Sequence, residues 1–415
     1  MRISLVGTII LALLCLLPSI SHASEVRTFD DFCDMDGYTN ALRQTVVVVD
    51  GRLVKSEKEG GIDSANRPWR EFIANLLNAE DPSIQQRFAP RERVTIAVAE
   101  NDGSGTRNIF TGCLPTYSKE EKREDAKKDT AWGDFLGGGL NAKLRKEADA
   151  FRQAMLVSLA EGAKTRGQAN GVAKEALANS TLVSSLSRGL GIARDNGILR
   201  VIIYSDLAQY VMPAGTVEEA RKQARGEAES SGVDLMNSEV HIVGIQGAGG
   251  GAGGEYIKAF FLASKGKVET LTGIDGTIRA TNPPVKVEIF QGQIKYPDGP
   301  ATMRMRLALD RNGTAVNSWA EVITDRSRFT PFGGVLTCKN DDECEFVGDK
   351  VFAQIWSDDP APEPDFASWM PFGGFREFAF KLTGGHTAVG KIFDSSGYVP
   401  TMEDGLPFEL NLASN

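Results

Sequence analysis

Histidine, cysteine, basic clusters and long apolar runs are all scarce in this chain, and each scarcity removes a class of function. There are three histidines and five cysteines among 415 residues, and their spacings match no zinc pattern. There is no G-x-S-x-G elbow, no H-E-x-x-H helix and no reactive-cysteine context, so the familiar nucleophile and metalloprotease chemistries have no motif to stand on. The formal charge is −9 and lysine and arginine form no cluster, which argues against nucleic acid and against an anionic membrane surface as partners. Beyond the first residues no segment reaches the run of about 20 apolar residues that a spanning helix needs.

What is present begins with an export signature. Arg2 precedes an apolar run from Leu5 to Leu17, Pro18 breaks it, and Ser21-His22-Ala23 supplies small residues at the exit. Charged start, apolar core and small-residue exit describe a secretory signal over residues 1–23. Cys15 lies inside the apolar core without the small residues that lead into a lipid-modified cysteine. The mature chain is therefore expected in a bacterial periplasm or outside the cell. Four cysteines follow the cleavage point: Cys33, Cys113, Cys338 and Cys344. An even number in an exported chain points to disulfides, and four cysteines allow three pairings. Cys33–Cys113 with Cys338–Cys344 is the favoured set, because each bond then staples one domain.

The length suggests two domains. Residues 24–281 alternate strand-like runs with helix-like stretches, the texture of a parallel sheet with crossover helices. Thr45–Val49, Arg93–Ala99, Arg107–Cys113, Leu199–Tyr204, Val240–Ile245 and Val268–Leu271 read as strands. Trp69–Leu77, Asn141–Lys164, Leu182–Arg194, Val217–Ser230 and Tyr256–Ser264 read as helices, and a charged, helical insertion is expected at about 118–165. Near Asn282-Pro283-Pro284 the texture changes. Residues 282–415 carry short strands (Val285–Phe290, Thr302–Asp310, Ser318–Thr324, Val351–Ile355, Glu377–Leu382) separated by turn residues, which predicts an all-β sandwich.

The α/β part resembles the von Willebrand factor A family. Thr45–Val49 with Asp50 is similar to that family's first strand and aspartate, and Asn179-Ser180-Thr181-Leu182 to its threonine loop. Val201–Tyr204 with Ser205-Asp206 is similar to its fourth strand, and Val240–Ile245, Tyr256–Lys265 and Val268–Leu271 to its closing elements. The resemblance implies an α/β fold with a doubly wound, mostly parallel sheet, and protein–protein contact through the strand tips. It also implies a metal-ion-dependent adhesion site, in which Mg²⁺ or Ca²⁺ would be held by the oxygens of Asp50, Thr181 and Asp206. The family's two serine positions read Arg52 and Val54 here. Valine cannot ligate, and a guanidinium beside two aspartates competes with a cation. Arg52 is thus expected to pair with Asp50 or Asp206 in the metal's place, with retained metal as the alternative. Open α/β sheets bind ligands at the carboxyl ends of their strands, which makes Asp50, Arg52, Thr181 and Asp206 the candidate binding residues.

The remaining motifs are weaker. Gly249, Gly251 and Gly254 match G-x-G-x-x-G but lie at the last strand-to-helix turn rather than the first, so a flexible connection is the expected role. Phe329, Phe332, Trp369, Phe372 and Phe375 cluster beside glycines in the β domain. Exposed, they would contact a protein or a glycan; buried, they would fill the core or the contact with the first domain, the expected case. A binding or assembly protein is the first expectation and a metal-dependent adhesion protein the second. A carbohydrate-active enzyme using Asp or Glu of the β domain is the third.

Overall fold

The computed structural model describes residues 43–50, 91–99, 105–116, 123, 140–164, 181–184, 186, 198–205, 207, 215–245, 251–273, 278, 282–296, 299–323, 327–340, 342–349, 351–354, 373–394 and 405–413. The expected signal, the Trp69–Leu77 helix and nearly all of Ser118–Asp129 lie outside them.

The first sheet follows from runs of β-branched residues that bury on both faces. Its strands are β1 (Arg43–Asp50), β2 (Arg93–Ala99), β3 (Thr106–Cys113), β4 (Ile198–Tyr204), β5 (Ser238–Val243) and β6 (Gly266–Thr272). Their order across the sheet is β3-β2-β1-β4-β5-β6. All neighbours run parallel except β2 and β3, which form an antiparallel edge pair. Every residue of β1 is buried. Val46 and Val48 enter one core and Val47 and Val49 the other, as the two-residue period of a strand requires.

Helices cover both faces, so the sheet is doubly wound. Helix α1 (Leu140–Lys164) lays Phe151 and Met155 on the Val47 face, with the Phe151 ring edge-on to Phe110 at 5.2 Å. The short α2 (Thr181–Ser184), α3 (Val217–Ser231) and α4 (Gly251–Ala263) pack on the Val46 face. Helix α3 starts with a capping box: the Thr216 hydroxyl accepts from the Glu219 amide, and the Glu219 carboxylate accepts from the Thr216 amide. Its buried side is a stripe of Ala220, Ala224 and Ala228, small enough to let α4 approach. Arg221 bonds Glu255 across the pair at 2.6 Å. Helix α4 begins five residues earlier than the sequence suggests, because Gly251, Gly253 and Gly254 take helical places in its first turn.

Residues 286–412 form a separate, all-antiparallel sheet. Its strands are β7 (Lys286–Tyr296), β8 (Gly299–Leu309), β9 (Ser318–Ile323), β10 (Ser327–Phe332), β11 (Gly334–Asn340), β12 (Glu343–Gly348), β13 (Val351–Gln354), β14 (Gly373–Thr383), β15 (Thr387–Asp394) and β16 (Leu406–Leu412). They run in the order β10-β9-β8-β7-β16-β15-β14-β12-β11, with β13 on β14. Two independent sheets are not present among the described residues; one sheet folds over on itself. Its shortest ladder is that of β16 with β7, Asn411 to Gln291 and Leu412 to Phe290. Across the fold the Phe332 ring stacks on Phe378 at 4.6 Å, while Phe346 stacks on Phe380, its register partner on the neighbouring β14, at 4.6 Å. The first and last strands are joined directly through Gly333. Gly334 has φ 145°, and a side chain there would meet the Val347 carbonyl, so only glycine fits the seam.

Cys338 and Cys344 are register partners on β11 and β12 and form a disulfide. Cys113 is also disulfide-bonded. Cys33, the partner expected for it, lies outside the described residues. The Cys338–Cys344 ring is small, so replacing both by serine is expected to lower stability by about 2 kcal/mol. Urea unfolding of the purified chain measures this; an unchanged midpoint would mean that the hairpin needs no staple.

Candidate functional site

The strand order reverses between β1 and β4, and an open α/β sheet leaves a crevice at such a switch point, at the carboxyl ends of the strands. The register there pairs Val49 with Tyr204, so the next residues, Asp50 and Ser205, stand side by side. Both are buried, and the Ser205 hydroxyl donates to Asp50 Oδ2 at 2.8 Å. The same hydroxyl oxygen accepts from the Leu207 amide at 3.0 Å, and the Ser205 amide donates to the Val243 carbonyl at 2.9 Å. Leu207 is buried with φ 52°, a left-handed conformation that a bulky residue keeps only where its surroundings impose it. The carboxylate of β1 thus reaches the loop after β4 through one serine.

Of the four candidate binding residues, Asp50 is at this crevice. Thr181 opens α2, whose Leu182 and Val183 bury on the face that also holds Val48 and Ile203. Arg52 and Asp206 lie outside the described residues. Ser205 was missed in the sequence, where it reads as the polar end of a strand. The only signal for it is positional, one residue past β4 as Asp50 is one past the valine run of β1. That signal becomes legible only once the two strands are known to be neighbours. Among the described residues no three His, Cys, Asp or Glu side chains lie close enough to hold a metal ion. Nor is any described helix long and apolar enough to cross a membrane.

A second concentration of polar groups lies near the opposite, amino ends of the strands. Glu92 accepts from Arg43 Nε at 2.9 Å, from Arg200 Nη2 at 2.8 Å and from the Thr45 hydroxyl, and Arg200 Nε donates to Thr45 at 2.8 Å. On the same face His241 Nδ1 is 3.0 Å from the Thr270 hydroxyl and Nε2 is 3.4 Å from Glu239. Burial pushes the Arg200 pKa down to about 10, aided by Arg43 and opposed by Glu92 and Glu239. Burial likewise lowers that of His241, with Glu239 opposing. These groups tie β1 to β4 and to Glu92 beside β2, and β5 to β6.

Of the aromatic residues singled out in the β domain, Phe329 and Phe332 are buried. Phe329 lies at the domain contact and Phe332 in the core; Trp369 and Phe372 are outside the described residues. A scan of known protein families finds no model that matches the chain, and a search among curated proteins finds no match either.

Two outcomes are expected. Ser205→Ala strips a buried carboxylate of a hydroxyl donor and should cost about 2 kcal/mol in chemical unfolding; a loss within error would leave Asp50 independent of Ser205. His241 is the acid-sensitive group: its folded pKa is below the unfolded value, so the unfolded chain takes up the proton first. Its contribution is complete above about pH 6.5 and is lost as pH falls from there toward the lower folded value. His241→Gln should therefore flatten the fall of stability between neutral and mildly acidic pH. Parallel curves for the two proteins would rule that out.

Proposed function

We propose that the chain is an exported binding or assembly protein whose α/β domain, of von Willebrand factor A type, presents its strand tips to a protein partner. The observation that carries this reading is the Asp50–Ser205 pair, placed where the strand order turns back on itself. A doubly wound sheet of five parallel strands with one antiparallel edge strand supports the resemblance read from Asp50, Thr181 and Ser205-Asp206. The crevice fits recognition better than turnover. Its one described carboxylate is already committed to a hydroxyl, and the histidine of the α/β domain is packed within β5 against Thr270.

The site sits far from the second domain. Met236 and Asn237 precede β5 and touch the β domain, whereas Asp50 ends β1 and Ser205 follows β4, two strands that run parallel to β5. A strand of this length separates its ends by roughly 20 Å. A partner on the tips would thus leave the β domain uncovered, as an assembly role requires.

Immobilised mature chain should capture a partner from the extracytoplasmic fraction of its source. Asp206→Ala and the milder Asp50→Asn should weaken that capture by about tenfold or more, with circular dichroism and melting unchanged. Equal capture by folded variants would remove the strand tips from consideration. Calorimetric titration with Mg²⁺ and Ca²⁺ separates the metal-dependent form of the reading: heat that disappears in Asp50→Asn would assign a cation to the tips, and silence at millimolar metal would assign contact without one.

A further inference from the structure

Six non-glycine residues have positive φ among the described residues, and four of them gather where the two domains meet. They are Met236 (46°), Asn237 (59°), Lys265 (57°) and Asn317 (52°). Asparagine tolerates left-handed backbone; methionine and lysine do not do so readily. Lys265 is the informative case. It lies at the left-handed place that ends α4, where glycine is the usual residue. The corresponding place after α3 is Gly232, with φ 63°. A lysine at such a position accepts strain that glycine avoids, so its side chain must compensate. Its ammonium lies 2.9 Å from Asp234, 3.8 Å from Glu321 and 4.9 Å from the ring centre of Phe329, the last two belonging to the β domain.

Arg306 supplies the other half of the contact. Fully buried on β8, it donates through Nη2 to the Met236 carbonyl at 2.7 Å and the Asn317 carbonyl at 2.8 Å. Its guanidinium lies 5.6 Å from the Trp319 ring centre. Burial pushes its pKa down to about 9, with Asp234 of the first domain opposing. Two asparagines then exchange bonds: Asn317 Nδ2 donates to the Asn237 carbonyl at 2.8 Å, and Asn237 Nδ2 donates to the Ser318 carbonyl at 3.0 Å.

We propose that this joint is a rigid clamp that holds the two domains in one fixed orientation, so that strand tips and β domain move as a single body. Two domains in one chain ordinarily move relative to one another unless something prevents it. An apolar contact can slide at little cost. Bonds from a guanidinium and two amides to main-chain carbonyls cannot, because each is lost within a small displacement or tilt. Three of those carbonyls, on Met236, Asn237 and Asn317, belong to left-handed residues. The clamp does not depend on what the strand tips bind.

The test uses the full chain with its disulfides oxidised and spin labels at the exposed positions Glu218→Cys on α3 and Val389→Cys on β15. Double electron–electron resonance should give one narrow distance distribution in the otherwise unchanged chain. Lys265→Gly and Arg306→Met should each widen it roughly twofold, toward the freedom expected of unclamped domains. Lys265→Gly keeps the test decisive should Arg306→Met fail to fold, because glycine suits the end of α4 and leaves the α/β domain intact. A broad distribution in the unchanged chain, or an unaltered width in Lys265→Gly, would overturn the clamp.

Discussion

One carboxylate, Glu92, holds the α/β domain in register. It stands at the foot of β2 and takes hydrogen bonds from Arg43 of β1 and Arg200 at the foot of β4, with the Thr45 hydroxyl between them. Buried charges of this kind contribute little net attraction once desolvation is counted, yet removing one partner strands the rest in a medium that cannot solvate them. Their value lies in specificity. Parallel strands made of valine and isoleucine would pack nearly as well after a slip of two residues, and a fork of guanidinium groups on one carboxylate would not. The same register, carried along the strands, sets Asp50 beside Ser205 at the other end.

Much of the frame was legible from the residues because burial on both faces writes a continuous apolar run. The runs around Val46–Val49, Val94–Val98 and Val201–Ile203 were read within two residues of β1, β2 and β4. The order of those strands was not legible, since it depends on which crossover passes which face. Glu92, Arg43 and Arg200 were passed over for a related reason: a charge at or near a strand end looks like the start of a solvated loop until a neighbour covers it. Arg52 and Asp206, which the sequence placed at the tips, fall outside the described residues.

The β domain was harder to read. Its longer strands were located, but β10, β11, β12, β15 and β16 were not, although Leu406–Leu412 alternates cleanly between buried and exposed positions. Gly390 in β15 sits against the Ala379 carbonyl and the Cα and Cβ of Phe380, which leave no room for a side chain. The sequence carries Pro-Phe-Gly-Gly twice, at 331–334 and at 371–374, and the two are used differently. One forms the seam between β10 and β11, while in the other Gly373 and Gly374 open β14 beside β13. The sandwich expected from the turn spacing exists as two layers, but both belong to one folded sheet.

The position of β16 sets the order in which that sheet can be completed. It is the last strand described, and it lies between β7, the first, and β15. When everything through β15 has been made, the two halves of the sheet meet at the seam through Gly333, but no strand yet bridges β7 and β15. The keystone is made after every other described strand, so the facing edges of β7 and β15 stay unpaired until it is in place.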